Sequence, residues 1–200
     1  MSGRKDPRVE PHAALQVIRD EHASLAAMLR TVSLLLVQHR RDGTTPDFRA
    51  LRAMLFYITE FPERLHHAKE STLLFPLLRA RSPHGHQVLD RLDREHAEGE
   101  RATRDLEHAL VAFEMMGTAR REVFEQAAEA YVEFYLAHMR LEEQEVLPLA
   151  QRVLRPDDWA LLDAAFSSND DPLLGHAPTA EYAALFSHVV RLVPAPLGLG

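Results

Sequence analysis

The chain has 200 residues and a mass of 22.7 kDa, enough for one domain with a small addition. Lys plus Arg number 23 against 30 Asp plus Glu, and the formal charge of −7 excludes the basic face that nucleic acids select. The absence of cysteine excludes disulfides, thiolate metal sites, iron–sulfur clusters and a cysteine nucleophile. At 46% hydrophobic residues the composition is that of a globular protein, and no stretch approaches the roughly 18 uncharged apolar residues of a membrane span. Polar sequence follows the first residues, so a cytoplasmic protein is expected. Twelve histidines beside a single tryptophan make histidine placement the first question.

Strand signals are nearly absent, and helical periodicity is strong. Leu15, Ile18, Leu25, Leu29, Val32 and Leu36 follow a three-four spacing, with His22 interrupting the apolar seam; Gly43 and Pro46 end this first helix. A second helix is predicted over about 46–79, with Phe48, Leu51, Leu55, Leu73 and Leu77 on one face, and with Pro62 and Pro76 expected to kink or shorten it. Ser82-Pro83 reads as the start of a third helix, which runs through Leu89, Leu92, Leu106, Leu110 and Phe113 to Gly117. A fourth extends from Thr118 to about Leu154, where Pro156 stops it. Four such helices with short connections predict an all-α, up-down-up-down four-helix bundle over residues 10–155. Residues 156–200 are expected to form a short helical C-terminal appendage: one short helix from Asp157 to Phe166, a second from about Thr179 to Val193, and a loose tail.

An internal repeat runs through the bundle. Glu21-His22-Ala23 returns as Glu95-His96-Ala97, and His66, Glu70 and Pro76 return 72 residues later as His138, Glu142 and Pro148. Each helix thereby places one histidine in line with core positions: His22, His66, His96 and His138. His67 falls in line with Glu60, Glu63 and Ser71 and is assigned to a solvated face. Glu70 and Glu142 lie one turn beyond His66 and His138 on the same faces. Burying two unpaired carboxylates costs at least several kcal/mol, which a cation offsets. Six nitrogen and oxygen ligands suit two first-row transition metals with bridging carboxylates.

This arrangement, together with Phe61-Pro62-Glu63-Arg64-Leu65-His66-His67, Leu74-Phe75-Pro76 and His138-Met139-Arg140-Leu141-Glu142-Glu143, resembles the hemerythrin-like (HHE cation-binding) family. The resemblance implies a non-haem centre of two iron ions, carboxylate- and oxo-bridged, with zinc or manganese as substitutes. Oxygen carriers of that family have a second histidine four residues after the one on helix three, and an Asp five residues after the one on helix four. Here those positions hold Glu100 and Glu143, which leaves four histidines and an open, carboxylate-rich site. Such a site suits reaction with, or sensing of, oxygen, peroxide or nitric oxide in a bacterial-type stress or iron response, and disfavours reversible oxygen carriage.

Glu100 is a candidate seventh ligand, and Tyr131 is placed to hydrogen-bond a bound small molecule. Glu145 is expected in a salt bridge, and His12, His39, His84, His86, His108, His176 and His188 at the surface. A ferritin-like centre requires Glu-x-x-His on paired helices, and neither Glu70 nor Glu142 has it. A zinc protease requires His-Glu-x-x-His, which is absent. The enzyme reading is a peroxide- or nitric-oxide-reactive di-iron oxidoreductase; its rival is a non-enzymatic iron- or oxygen-responsive module that binds a protein partner.

Overall fold

A computed structural model describes residues 12–168, and every regular element among them is helical. The helix predicted near 179–193, the tail, His176 and His188 lie outside the described residues. Helix α1 (Ala13–Arg41) buries Leu15, Ile18, His22, Leu25, Leu29, Val32 and Leu36, the predicted stripe, and ends in a turn where Gly43 takes φ +63°. Helix α2 (Phe48–Ile58) starts at Asp47, whose carboxylate accepts the Arg49 and Ala50 amides at 2.8 and 3.3 Å.

The chain beyond α2 stays helical, and Pro62 does not break it. Residues Thr59–His67 form π-helical turns, wider than α turns, with Pro62 inside them. After a short return to α geometry, Glu70–Leu74 widens again before α3 (Phe75–Arg81). The same event recurs after α5 (Thr118–Leu141), where Glu142–Val146 is π-helical ahead of α6 (Leu147–Val153). A proline stands second in both following helices, Pro76 and Pro148. Proline has no amide hydrogen to give the carbonyl four residues back. The preceding amides reach five residues back instead, Phe75 to the Glu70 carbonyl and Leu147 to that of Glu142.

Helix α4 (His86–Met116) begins three residues later than Ser82-Pro83 suggested. Ser82 is extended, and its hydroxyl accepts the His84 amide at 3.1 Å, making a turn rather than a helix cap. Gly85 precedes α4 at φ +101°, with Leu149 packed so closely that a Cβ at this position would lie 2.5 Å from its Cδ2. Gly117, at φ +64°, turns α4 into α5.

Helix α4 packs along α5, and α1 packs on both α5 and α7 (Pro156–Phe166). The apolar interior forms two clusters. One includes Leu25, Leu29, Met54, Tyr57, Phe113 and Phe124; the other includes Leu15, Ile18, Phe75, Leu92, Leu147 and, from α7, Trp159, Leu162 and Phe166. Helix α7 is therefore part of the core, each of its three large side chains contributing roughly 1.5–3 kcal/mol on burial. Asp163 accepts the Ala14 amide at 2.8 Å and so satisfies the start of α1, while His12 stacks on Trp159 at 3.9 Å. No helix among the described residues is long and apolar enough to cross a membrane.

Candidate metal centre

His22 lies on α1 between Ile18 of one apolar cluster and Leu25 of the other, and the remaining buried histidines gather at the same level. Two groups form. Donor atoms of His22, His66, Glu70 and Glu142 all lie within 4.8 Å of one another, as do those of His67, His96 and His138. The two glutamates, 0% exposed, connect the groups. Glu70 places Oε1 3.0 Å from His66 Nε2 and Oε2 3.5 Å from His96 Nε2; Glu142 Oε2 is 3.2 Å from His22 Nε2 and 3.8 Å from His138 Nε2.

These approaches are close without being hydrogen bonds. Nε2 of His66, His96 and His138, and both carboxylate oxygens of Glu70 and of Glu142, are buried with no hydrogen-bond partner among the described residues. Seven such atoms buried together are prohibitive unless a cation takes their lone pairs. Imidazole nitrogen and carboxylate oxygen are the donors that first-row transition ions accept, so the residues fit a pair of such ions.

Partners on the far side fix the rings. His66 Nδ1 donates to Glu21 at 2.6 Å, His138 Nδ1 to Glu95 at 2.9 Å and His22 Nδ1 to Glu143 at 3.1 Å; His96 Nδ1 meets the Ser71 hydroxyl at 2.8 Å. A proton held at Nδ1 leaves the Nε2 lone pair facing inward. Burial opposes charge on His66, but the Glu70 carboxylate and the Glu21 bond outweigh it and raise its pKa well above the ordinary value. Glu70, despite the same burial, is pulled well below the carboxylate range by His66. The bond from His138 likewise lowers Glu95, and that from His22 lowers Glu143.

Of the residues singled out in the sequence, His22, His66, Glu70, His96, His138 and Glu142 converge. Glu100 does not: its side chain is 64% exposed and lies 3.9 Å from Arg104. Glu145 is exposed and has no ion pair among the described residues. The Tyr131 hydroxyl is taken up by Thr103 at 2.7 Å and by Glu63 at 3.3 Å. Of the two tyrosines it is Tyr135 whose ring lies against the histidines, stacked 5.8 Å from His67 and edge-on 6.1 Å from His138. Its hydroxyl donates to Glu63 beside Gly99, where a Cβ would sit 2.3 Å from the Tyr135 oxygen. Burial raises the pKa of Glu63 even though three hydroxyls hydrogen-bond to it.

His67 is the principal correction. It is 6% exposed, not solvated, and its ring stacks 4.3 Å from His96. Burial, then the charges of His96 and His138, lower its pKa well below the ordinary value, so the ring is neutral and its lone pair available. An α-helix turns about 100° per residue and would part His66 from His67; the π turns ending at His67 rotate less per residue and keep both inward. Five buried histidines therefore gather in the two groups, one more than the four expected from the sequence. A proline within a helical pattern was the available signal for that change of register, and the Glu-His-Ala repeat was the signal for Glu21 and Glu95.

Two buried carboxylates shared between two histidine groups, inside a helical bundle, define a cation-binding protein. Residues 13–150 match the hemerythrin HHE cation-binding domain, and the chain belongs to that family. Comparison with curated proteins and with solved structures gives no match.

Proposed function

We propose that the chain is a non-haem di-iron protein that reacts with or senses dioxygen, peroxide or nitric oxide. Helices α1, α2–α3, α4 and α5–α6 are read as an up-down-up-down four-helix bundle around the centre. In this reading His22 and His66 hold one iron, His67, His96 and His138 hold the other, and Glu70 and Glu142 serve both. The observation that carries it is the set of seven buried, unpartnered nitrogen and oxygen atoms converging from both groups. Iron in such a centre supplies electrons to a small oxidant and an open position for it to occupy.

The chain's own residues do the rest. Glu21, Glu95 and Glu143 accept the Nδ1 protons of His66, His138 and His22, so on these three rings Nε2 is the atom left to face a metal. The two apolar clusters on either side of the histidine layer exclude bulk water. With Glu70 and Glu142 serving both sides, the imidazoles divide three to two, which leaves the His22–His66 side one imidazole short and makes it the side for a small ligand. A second reading, an iron-responsive module without turnover, draws support from the same burial. Without a cation, Glu70 and Glu142 have only histidines to offset them, and loss of metal loosens the bundle a partner would recognise.

Metal content and the visible spectrum test the proposal. After anaerobic iron loading, about two irons per chain are expected, with an oxo-bridge absorption band that appears on exposure to air. Bleaching by peroxide with turnover supports the enzyme, and a band that oxygen removal reverses supports a carrier. Fewer than one iron per chain, or a spectrum that His66→Ala leaves unchanged, overturns the centre.

A further inference from the structure

The cluster of Glu63, Thr103, Tyr131 and Tyr135 holds no cation, yet it touches the histidine layer. Tyr135 is buried, and its ring lies nearly parallel to that of His67 and edge-on to that of His138. Both histidines belong to the three-imidazole group. The Tyr131 ring follows, its centroid 4.7 Å from that of Tyr135.

The acceptor of the Tyr135 hydroxyl distinguishes this cluster from an ordinary core tyrosine. A buried phenol needs one hydrogen-bond partner, and a backbone carbonyl or a neutral hydroxyl suffices. Here the phenol donates to Glu63 Oε1, and the Thr103 and Tyr131 hydroxyls lie within 3.3 Å of the same oxygen. Glu63 is half-buried and has no ion pair among the described residues, so hydroxyls alone offset its charge. Burial raises its pKa, which makes the carboxylate a better base. Gly99 provides the space for the phenolic oxygen from inside α4, where glycine is a poor helix former. Glu63 also lines an outer cleft of about 350 Å³ with Thr103, Arg64 and Arg104, so a proton that it takes up can pass to water.

We propose that Tyr135 is a redox-active residue: it gives one electron to the centre after hydrogen peroxide has oxidised the centre, and it gives its phenolic proton to Glu63 in the same step. The inference rests on the two-iron reading and deepens it by naming an electron donor within the chain. The O–H bond of Tyr135 breaks, and the electron passes through the adjoining imidazoles to the oxidised metal pair, which is reduced by one electron. The proton forms a new O–H bond at Glu63 Oε1. A neutral phenoxyl radical is left beside a neutral carboxylic acid, and atoms and charge balance. The base is essential, because a phenol that has lost an electron is a strong acid and needs an acceptor within hydrogen-bond reach.

Electron paramagnetic resonance of the iron-loaded full-length chain, mixed with hydrogen peroxide and freeze-quenched, tests the assignment. The native chain is expected to give a tyrosyl radical signal that narrows when the protein is made with ring-deuterated tyrosine. Tyr135→Phe keeps the ring against the histidines and is expected to abolish the signal, with two irons per chain retained. Glu63→Gln keeps a hydrogen-bond acceptor but not a base, and is expected to lose most of the signal. A signal of native strength in Tyr135→Phe overturns the electron donor, and one of native strength in Glu63→Gln overturns the proton acceptor. A native chain with two irons and no tyrosyl signal overturns the proposal and leaves the centre standing. A native chain that takes up no iron overturns both.

Discussion

Each outer partner of the histidine rings does a different amount of work. Glu21, Glu95 and Glu143 are carboxylates and make charge-assisted bonds to the rings they hold; Ser71 on His96 is a neutral hydroxyl and makes a weaker one. Glu21 makes the shortest of these contacts, on a ring that also touches Glu70. Glu21→Ala is therefore expected to weaken metal binding about 10–100-fold, and Ser71→Ala to weaken it less. Competition against a chromophoric chelator ranks the two. Equal losses would show that the outer partners only fill space. Among the described residues His67 has no such carboxylate partner; burial and the charges of His96 and His138 keep its ring neutral.

Among the elements, α7 shows how a short helix is held. Arg81 at the end of α3 makes two contacts to Asp158, Nε to Oδ2 at 2.8 Å and Nη2 to Oδ1 at 2.7 Å. The guanidinium holds the Asp158 carboxyl at about 2, below its ordinary 3.8. A lowered carboxylate stabilises the fold above its unfolded pKa and ceases to do so as the pH falls through the folded one. The stability difference between the native chain and Arg81→Gln is accordingly expected to be full above about pH 4 and to vanish toward pH 2. Urea midpoints measured across that window check it, and a difference independent of pH would assign the effect to packing alone. Trp159 and Phe166 then bring α7 onto α1 and the His66 ring, the last at 6.1 Å. The π turns are the other decisive elements, since two of the three start at Glu70 and Glu142 and set where those carboxylates fall.

At the scale of the molecule, the histidine and glutamate layer separates two apolar clusters and is the least stable part of the interior without a cation. A metal present at 100 times its dissociation constant stabilises the fold by about 2.7 kcal/mol. For a chain of this size that corresponds to a rise in Tm of about 5–10 °C. Thermal unfolding followed by circular dichroism, before and after chelation and again after metal is restored, measures the rise. An unchanged Tm would mean that the layer tolerates its buried carboxylates on histidine contacts alone.

The sequence by itself determined the helical class, because three-four apolar spacing and the lack of alternation leave no other way to bury the apolar residues. It also pointed to six of the residues that converge, because a histidine or glutamate in an apolar stripe faces inward and needs a partner there. The 72-residue repeat of histidine, glutamate and proline showed that two helices contribute alike. Tertiary structure decided what depends on departures from the ideal helix and on contacts between distant segments. The wider turns that accommodate Pro62 rotated His67 inward by an amount no 100° wheel contains. Glu21, Glu95 and Glu143 became partners of His66, His138 and His22 only because α1 meets the π turns at 59–67 and 142–146 and α4 meets α5. Glu100 stood one turn beyond His96 in sequence, yet the helix carried it to the surface, since four residues of α-helix overshoot a full turn and the packing of α4 on α5 left it outside.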